Sequence, residues 1–218
     1  MHIAEELVLV GTSVEGRNLL GTGRNLVLAG AFLTELAVME RLDVQDKRLR
    51  VLDAGSIGDH LLDDALVRFA QYEGKKPKDV LDKVGKHLLE PVLESLVTQE
   101  LVRPEPVSVV GLTLWTRWPV VVDGPRQAVL DDLARVLTGA QEADSRTGAL
   151  ISLLHAVNIL HTVVPQELRP GMTNRDVKRR GKEVLKGRWA PEAVAKAIEE
   201  AATATTLAAA AAAGGASS

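Results

Sequence analysis

Three groups of residues have the types and spacing to do chemistry. Arg175, Lys178, Arg179, Lys182 and Lys186 follow i, i+3, i+4, i+7, i+11 spacing, which lines them along one face of a helix. Arg180 and Arg188 extend the run. Such a face either is solvated or binds an anionic surface, each basic residue near a membrane adding ~1 kcal/mol. Gly21-Thr22-Gly23-Arg24-Asn25 is glycine-rich and directly precedes an apolar run. Backbone N–H groups at a helix start, together with Arg24, could hold a phosphate. No strand and no full G-x-G-x-x-G accompany it, which argues against a dinucleotide fold. The plainer reading is a turn that needs positive φ. Trp115-Thr116-Arg117-Trp118 contains two of the chain's three tryptophans. Strand alternation sets Trp115 and Arg117 on one face. An exposed hairpin tip carrying Trp and Arg suits the bilayer interface or a protein partner; a tryptophan packed in the core is the other reading.

Catalytic constellations are missing from the pattern. His155 and His161 are six residues apart and fall on different faces of a helix. His2, His60 and His87 are scattered, and no H-E-x-x-H spacing occurs. Asp63-Asp64 and Glu199-Glu200 are adjacent pairs whose side chains point apart on a helix. Neither a G-x-S-x-G elbow nor a Walker loop is present. The absence of cysteine removes disulfides, thiol catalysis and cysteine-ligated metal, and fits a cytoplasmic setting. The expectation is a protein that is not an enzyme and has no cofactor and no metal.

The elements that must position these residues are mostly helices. With 46% hydrophobic and 25% charged residues, the chain is ordinary for a globular protein and long enough to bury a sizeable core. A net charge of −3 means that anion binding must come from a local patch. No run reaches the ~18 apolar residues of a spanning helix; residues 148–164 come closest and contain His155, Asn158 and His161. The opening residues lack the basic region and long apolar core of a signal peptide. Residues 26–39 are apolar around almost the whole circumference, so the helix is buried on all sides, with Asn25 as its expected N-cap. Residues 149–164 predict a second such helix, stopped by Pro165. Leu42/Val44 and Leu49/Val51 alternate around Gln45-Asp46-Lys47 as a short hairpin. Gly58-Asp59 opens a helix striped by Leu61, Leu62, Ala65, Leu66 and Phe69. Leu88, Leu89, Val92, Leu93, Leu96 and Val97 form another stripe, which must start close to Pro91. Residues 107–122 read as strands, with a turn at Gly111 or at Thr116-Arg117. Asp123-Gly124-Pro125 opens, and Gly139 closes, an amphipathic helix. Thr173 to Asp176 carries a capping-box signal for the basic helix, and Ala190-Pro191-Glu192 starts the last one. Helix followed by hairpin occurs twice, as in a winged-helix half.

Several segments, in order, resemble the Golgi phosphoprotein 3 family. Ile3-Ala4-Glu5-Glu6-Leu7-Val8-Leu9-Val10 is similar to its L-x-E-E-L-L-L-L opening. Leu33-Thr34-Glu35-Leu36-Ala37, followed by Arg41-Leu42, is similar to its L-x-E-L-A…G-R-L block. Gly58-Asp59-His60-Leu61-Leu62-Asp63-Asp64-Ala65-Leu66 resembles G-D-x-L-L-D-E-A-L, the most specific match. Leu96-Val97-Thr98-Gln99-Glu100-Leu101 resembles L-V-E-K-G-V. Asp144, Arg146, Ala149-Leu150-Ile151, Leu153 and His155-Ala156 follow D-x-R-x-x-A-L-I-x-L-x-H-A. The basic helix with Trp189 and Ala193-Val194 resembles bacterial members. The order and spacing cover roughly residues 3 to 200.

The resemblance implies a mainly α fold: a central buried helix bundle surrounded by amphipathic helices, with one or two short β-hairpins. It implies one domain over residues 1–206 and leaves a low-complexity tail at 207–218. The family ligand is phosphatidylinositol 4-phosphate, and eukaryotic members are adaptors that dock on Golgi membranes and retain glycosyltransferases. The family's headgroup Trp and Arg fall here at Leu20 and Ala29, and two further arginines fall at Lys86 and Leu89, so only Lys86 keeps the charge. Arg17, Arg24 and Lys86 are the expected substitute, since phosphate needs donors and positive charge. Leu114, Trp115, Arg117 and Trp118 are the expected hairpin for membrane contact or homo-oligomer formation. The expected protein is cytoplasmic and peripherally membrane-associated. Its partners would be an anionic membrane lipid such as a phosphoinositide and membrane-protein clients, and not nucleic acid. The alternative, a winged-helix-like DNA-binding protein, suffers because residues 26–40 and 88–101 contain no Lys or Arg to reach phosphates and bases.

Overall fold

A computed structural model describes residues 1–109, 112–186, 190 and 192–214. Gly111, Arg188, Trp189, Pro191 and the last four residues, which the sequence reading placed in a turn, the basic run, a family match, a helix start and a tail, lie outside the described residues. The fold is mainly helical with two antiparallel two-stranded hairpins, as expected. One hydrophobic core runs from Ile3 to Ala202.

At its centre lies α2 (Arg24–Val38), which buries Leu26 to Thr34 without interruption. Around it pack α1 (Ile3–Val10), α4 (Pro77–Gly85), α7 (Ser145–Ala156) and α10 (Glu192–Gly214). The remaining helices are α3 (His60–Ala70), α5 (Leu89–Thr98), α6 (Asp123–Thr138), the single turn α8 (Leu160–Val163) and α9 (Asn174–Leu185). Asp59 caps α3, its carboxylate accepting from the Leu61 and Leu62 N–H groups. Thr173 and Asp176 form the expected capping box on α9. Pro91 falls at the third position of α5, where its missing N–H costs nothing. Gly139, at φ +80, closes α6.

The first hairpin pairs β1 (Leu42–Gln45) with β2 (Arg48–Val51) across Asp46-Lys47, both at positive φ. That is the primed turn which matches strand twist. The second pairs β3 (Glu105–Val109) with β4 (Leu112–Arg117). Since β4 continues through Thr116-Arg117, the turn is not there. Both hairpins follow their helices through one device. Glu40 and Glu100 sit at φ +56 and +59. The next residues, Arg41 and Leu101, donate to the Leu36 and Leu96 carbonyls at 2.8 and 2.9 Å, as in a Schellman C-cap.

Two expectations need correction. Asn25 does not cap α2; a 3-10 turn at Gly21–Gly23 runs straight into Arg24, with no side-chain cap. The apolar run 149–164 is not one helix. Asn158 takes φ +60 and Ile159 donates back to Leu154, which ends α7 before α8 begins. Asn tolerates that left-handed conformation, and the run's composition does not reveal it. The sequence carries no sign that all eight residues of α1 are buried, Glu5 and Glu6 included. Glu5 accepts from Ser95 Oγ at 2.7 Å and Gln99 Nε2 at 2.6 Å, locking α1 to α5. Glu6 pairs with Arg146 at 2.7 Å, locking α1 to α7. Among the described residues no helix is long and apolar enough to cross a membrane.

Candidate anion-binding site

The chain leaves α1 into a loop closed by a bridge between Thr12 and Asn18. Gly16, at φ +79, brings this loop against the backbone of Trp118 and Pro119, and a side chain there would collide with it. The Trp118 and Val120 N–H groups donate to the Gly16 and Val14 carbonyls at 3.4 and 3.2 Å. Buried Arg126 donates from Nε to the Thr12 carbonyl at 3.1 Å. The loop carrying Arg17 is thus fastened to the exit of the second hairpin. Arg24 comes in from the other side, as the first residue of α2.

Between these elements lies a cavity of about 330 Å³. Its basic groups are Arg17, Arg24 and Arg117. Its apolar walls are Val8, Leu20, Leu89 and Leu93 with Trp115 and Trp118. Thr12, Gly16, Asn18 and Thr116 complete it. No carboxylate, lysine or histidine is among these residues. The three arginines make no ion pair among the described residues. Glu15, two residues from Arg17, accepts instead from Ser13 Oγ at 2.8 Å, which lowers its pKa. Arg24 Nε is buried and has no hydrogen-bond partner. A donor left unpaired in that way costs roughly 1–3 kcal/mol, and more when charged. The cavity is therefore a cationic, acid-free space in which the Arg24 Nε donor lacks an acceptor. Its lining offers no carboxylate or imidazole to take a proton, and the Thr12 hydroxyl is engaged with the Val8 carbonyl at 2.7 Å. What it can do is hold an anion.

Arg17, Arg24, Trp115, Arg117 and Trp118 converge here, so the separately read headgroup residues and hairpin residues line one space. Trp115, Thr116, Arg117 and Trp118 all contribute to the lining. Leu114 is exposed and is not part of the lining. Neither is Lys86, which is exposed at the C-cap of α4. Of the family headgroup positions, Leu20 and Leu89 line the cavity as apolar wall, and Ala29 is fully buried in α2. Thr12 and Asn18 carry no signal in the sequence; they join the site through the loop that folds back on the hairpin. A family model described as Golgi phosphoprotein 3 matches residues 3–201. No curated protein matches the chain.

Proposed function

Since the chain belongs to the Golgi phosphoprotein 3 family, we propose that it is a peripheral membrane protein whose Arg17–Arg24–Arg117 cavity takes a phosphorylated lipid headgroup. The ligand class is a phosphoinositide such as phosphatidylinositol 4-phosphate, and the role is that of an adaptor for membrane-protein clients, without catalysis. The observation that carries this reading is the set of three arginines, free of acid partners, around one cavity with two tryptophans. Charged hydrogen bonds from guanidinium to phosphate are the strong kind, and the planar fork suits phosphate oxygens. The tryptophans and the leucine wall offer an apolar face to a ring or a glycerol backbone. Relative to the family pattern the positive charge is supplied from the loop, the start of α2 and β4. The winged-helix alternative is disfavoured because the candidate recognition helix α2 is buried at the centre of the fold.

The test is flotation of the protein with phosphatidylcholine vesicles, with and without phosphatidylinositol 4-phosphate. Arg24→Gln and Arg117→Gln should each lower the phosphoinositide-dependent binding about tenfold or more, from ~1.5–3 kcal/mol per charged hydrogen bond. Lys86→Gln, outside the lining, should do less. If the double arginine variant keeps the full phosphoinositide increment, this reading is abandoned.

A further inference from the structure

The cavity makes no use of the basic helix. α9 buries Val177, Gly181 and Val184, leaving Arg175, Lys178, Arg179, Lys182 and Lys186 exposed. Residues 174–186 carry a net charge of +4 in a chain whose total is −3. Arg179 is paired with Asp176 at 2.8 Å, and Arg180 turns away to Glu183 and the Val136 carbonyl. Arg175, Lys178, Lys182 and Lys186 have no acid partner among the described residues. Their positive field reaches the neighbouring corner. Burial first, then the charges of Lys182 and Lys178, hold His155 below its usual range, although Glu199 opposes them. His161 is lowered by burial and then by Lys178 and Arg169.

Two close contacts on the buried side of α9 relate the helix to the elements around the cavity. α9 packs on the last turn of α7, where a Cβ on Gly181 would lie 2.7 Å from His155 Nδ1. Just beyond α7, Val157 covers Gly23, where a Cβ would lie 2.6 Å from the Val157 Cγ1. Gly23 immediately precedes Arg24. α9 packs on α7 and α7 on α2, and packed helix axes are ~8–10 Å apart, so α9 lies on the order of 20 Å from α2, which begins at Arg24. The exposed face presents long flexible cations. That suits a diffuse anionic surface better than a shaped partner.

We propose that the exposed basic face of α9, held near the cavity by the Gly181–His155 and Gly23–Val157 contacts, is a second, purely electrostatic contact with the anionic lipid surface that the cavity engages. This inference rests on the membrane reading of the cavity. It adds a lipid class, since the second contact needs charge alone and takes phosphatidylserine. A chain that is net negative is repelled by such a leaflet unless its basic residues are gathered on the approaching side.

The experiment uses the full chain and vesicles of phosphatidylcholine with phosphatidylserine, without and with phosphatidylinositol 4-phosphate. The variant is Arg175→Gln/Lys178→Gln/Lys182→Gln/Lys186→Gln, which keeps good helix formers at exposed positions. Binding to phosphatidylserine vesicles should fall at least tenfold, given about fivefold per residue near the leaflet. Its dependence on salt should become shallower. The further gain from phosphatidylinositol 4-phosphate should be the same ratio as in the wild type. If that gain is absent from both proteins while the fall persists, the cavity reading fails and the α9 contact stands. Unchanged phosphatidylserine binding and salt dependence would overturn the proposal. So would a wild type that ignores these vesicles but shifts duplex DNA in a salt-sensitive way, which would assign the face to nucleic acid.

Discussion

His2 stands between two carboxylates, with Nδ1 3.5 Å from Glu35 and Nε2 2.9 Å from Asp59. The hydrogen bond to Glu35, and then that to Asp59, overcome burial and raise its pKa to about 9. Burial pushes Asp59 up, but the Leu62 N–H and His2 hold it below its usual value. His2 thus ties α1 to α2 and α3 through charge. The folded pKa is above the unfolded 6.5, so the stabilisation is complete below about pH 6.5 and is lost as pH rises through about 9. The ring is partly solvated, and screening leaves on the order of 1–2 kcal/mol. Urea midpoints measured from about pH 6 to pH 10 should show the wild type converging on His2→Gln at the alkaline end. A constant difference across that range would reject the account. His2 and Glu35 are remote in sequence, so the sequence shows only a scattered histidine.

At the scale of elements, the two helix-to-hairpin junctions make the sharpest prediction. Glu40 and Glu100 hold left-handed backbone that costs an L-residue ~1–2 kcal/mol. Both positions are glycine in the family pattern the sequence resembles. Both side chains are exposed and make no ion pair among the described residues. Glu40→Gly and Glu100→Gly should each stabilise by roughly 0.5–1 kcal/mol after the unfolded-state entropy of glycine is subtracted. The double variant should give about the sum, since the sites lie in different hairpins. Thermal or urea unfolding decides; a lower midpoint for either single variant would show that strain is not stored there. Much of this level was legible. The first hairpin, the α3 and α9 caps, the α6 boundaries and the start of α5 close to Pro91 follow from local turn and cap chemistry. What stayed hidden depends on tertiary pairing. The break at Asn158 and the burial of α1 are two cases, and a bulge in the second hairpin is another. Val107 pairs with Trp115 but Ser108 with Thr113, which leaves Leu114 as the extra residue. The bulge interrupts alternation, so Leu114 and Trp115 are both exposed. The site divides the same way: Arg17 and Arg24 were readable beside a glycine-rich turn. Their meeting with Arg117 joins residues about a hundred positions apart and has no local signature.

Across the whole molecule, one set of exposed apolar residues lies on the loop and hairpin beside the cavity, while Met1, Val38, Met39, Leu52 and Val67 are exposed elsewhere. Val14, Leu114, Trp115, Val121 and Val122 are all about half exposed. The Val120 N–H to Val14 carbonyl bond holds loop and hairpin exit together. On the proposed reading the membrane face therefore combines two kinds of contact that respond differently to salt. Arginines of the cavity and the α9 face act through charge and weaken as ions screen them. The apolar collar acts by burial, at ~25 cal/mol per Å² of area removed from water, and is nearly indifferent to salt. Leu114→Ser/Trp115→Ser should lower the unfolding free energy by no more than about 1 kcal/mol, because both side chains are about half exposed. Binding to phosphatidylserine vesicles should fall roughly tenfold, with the salt dependence unchanged. That is the opposite pattern to the α9 variant, which loses slope as well as affinity. If the double serine variant keeps its vesicle binding but converts an oligomer to a monomer in sedimentation, the collar is a self-association surface. The cavity and α9 would then carry membrane contact through charge alone, and high salt would abolish it completely.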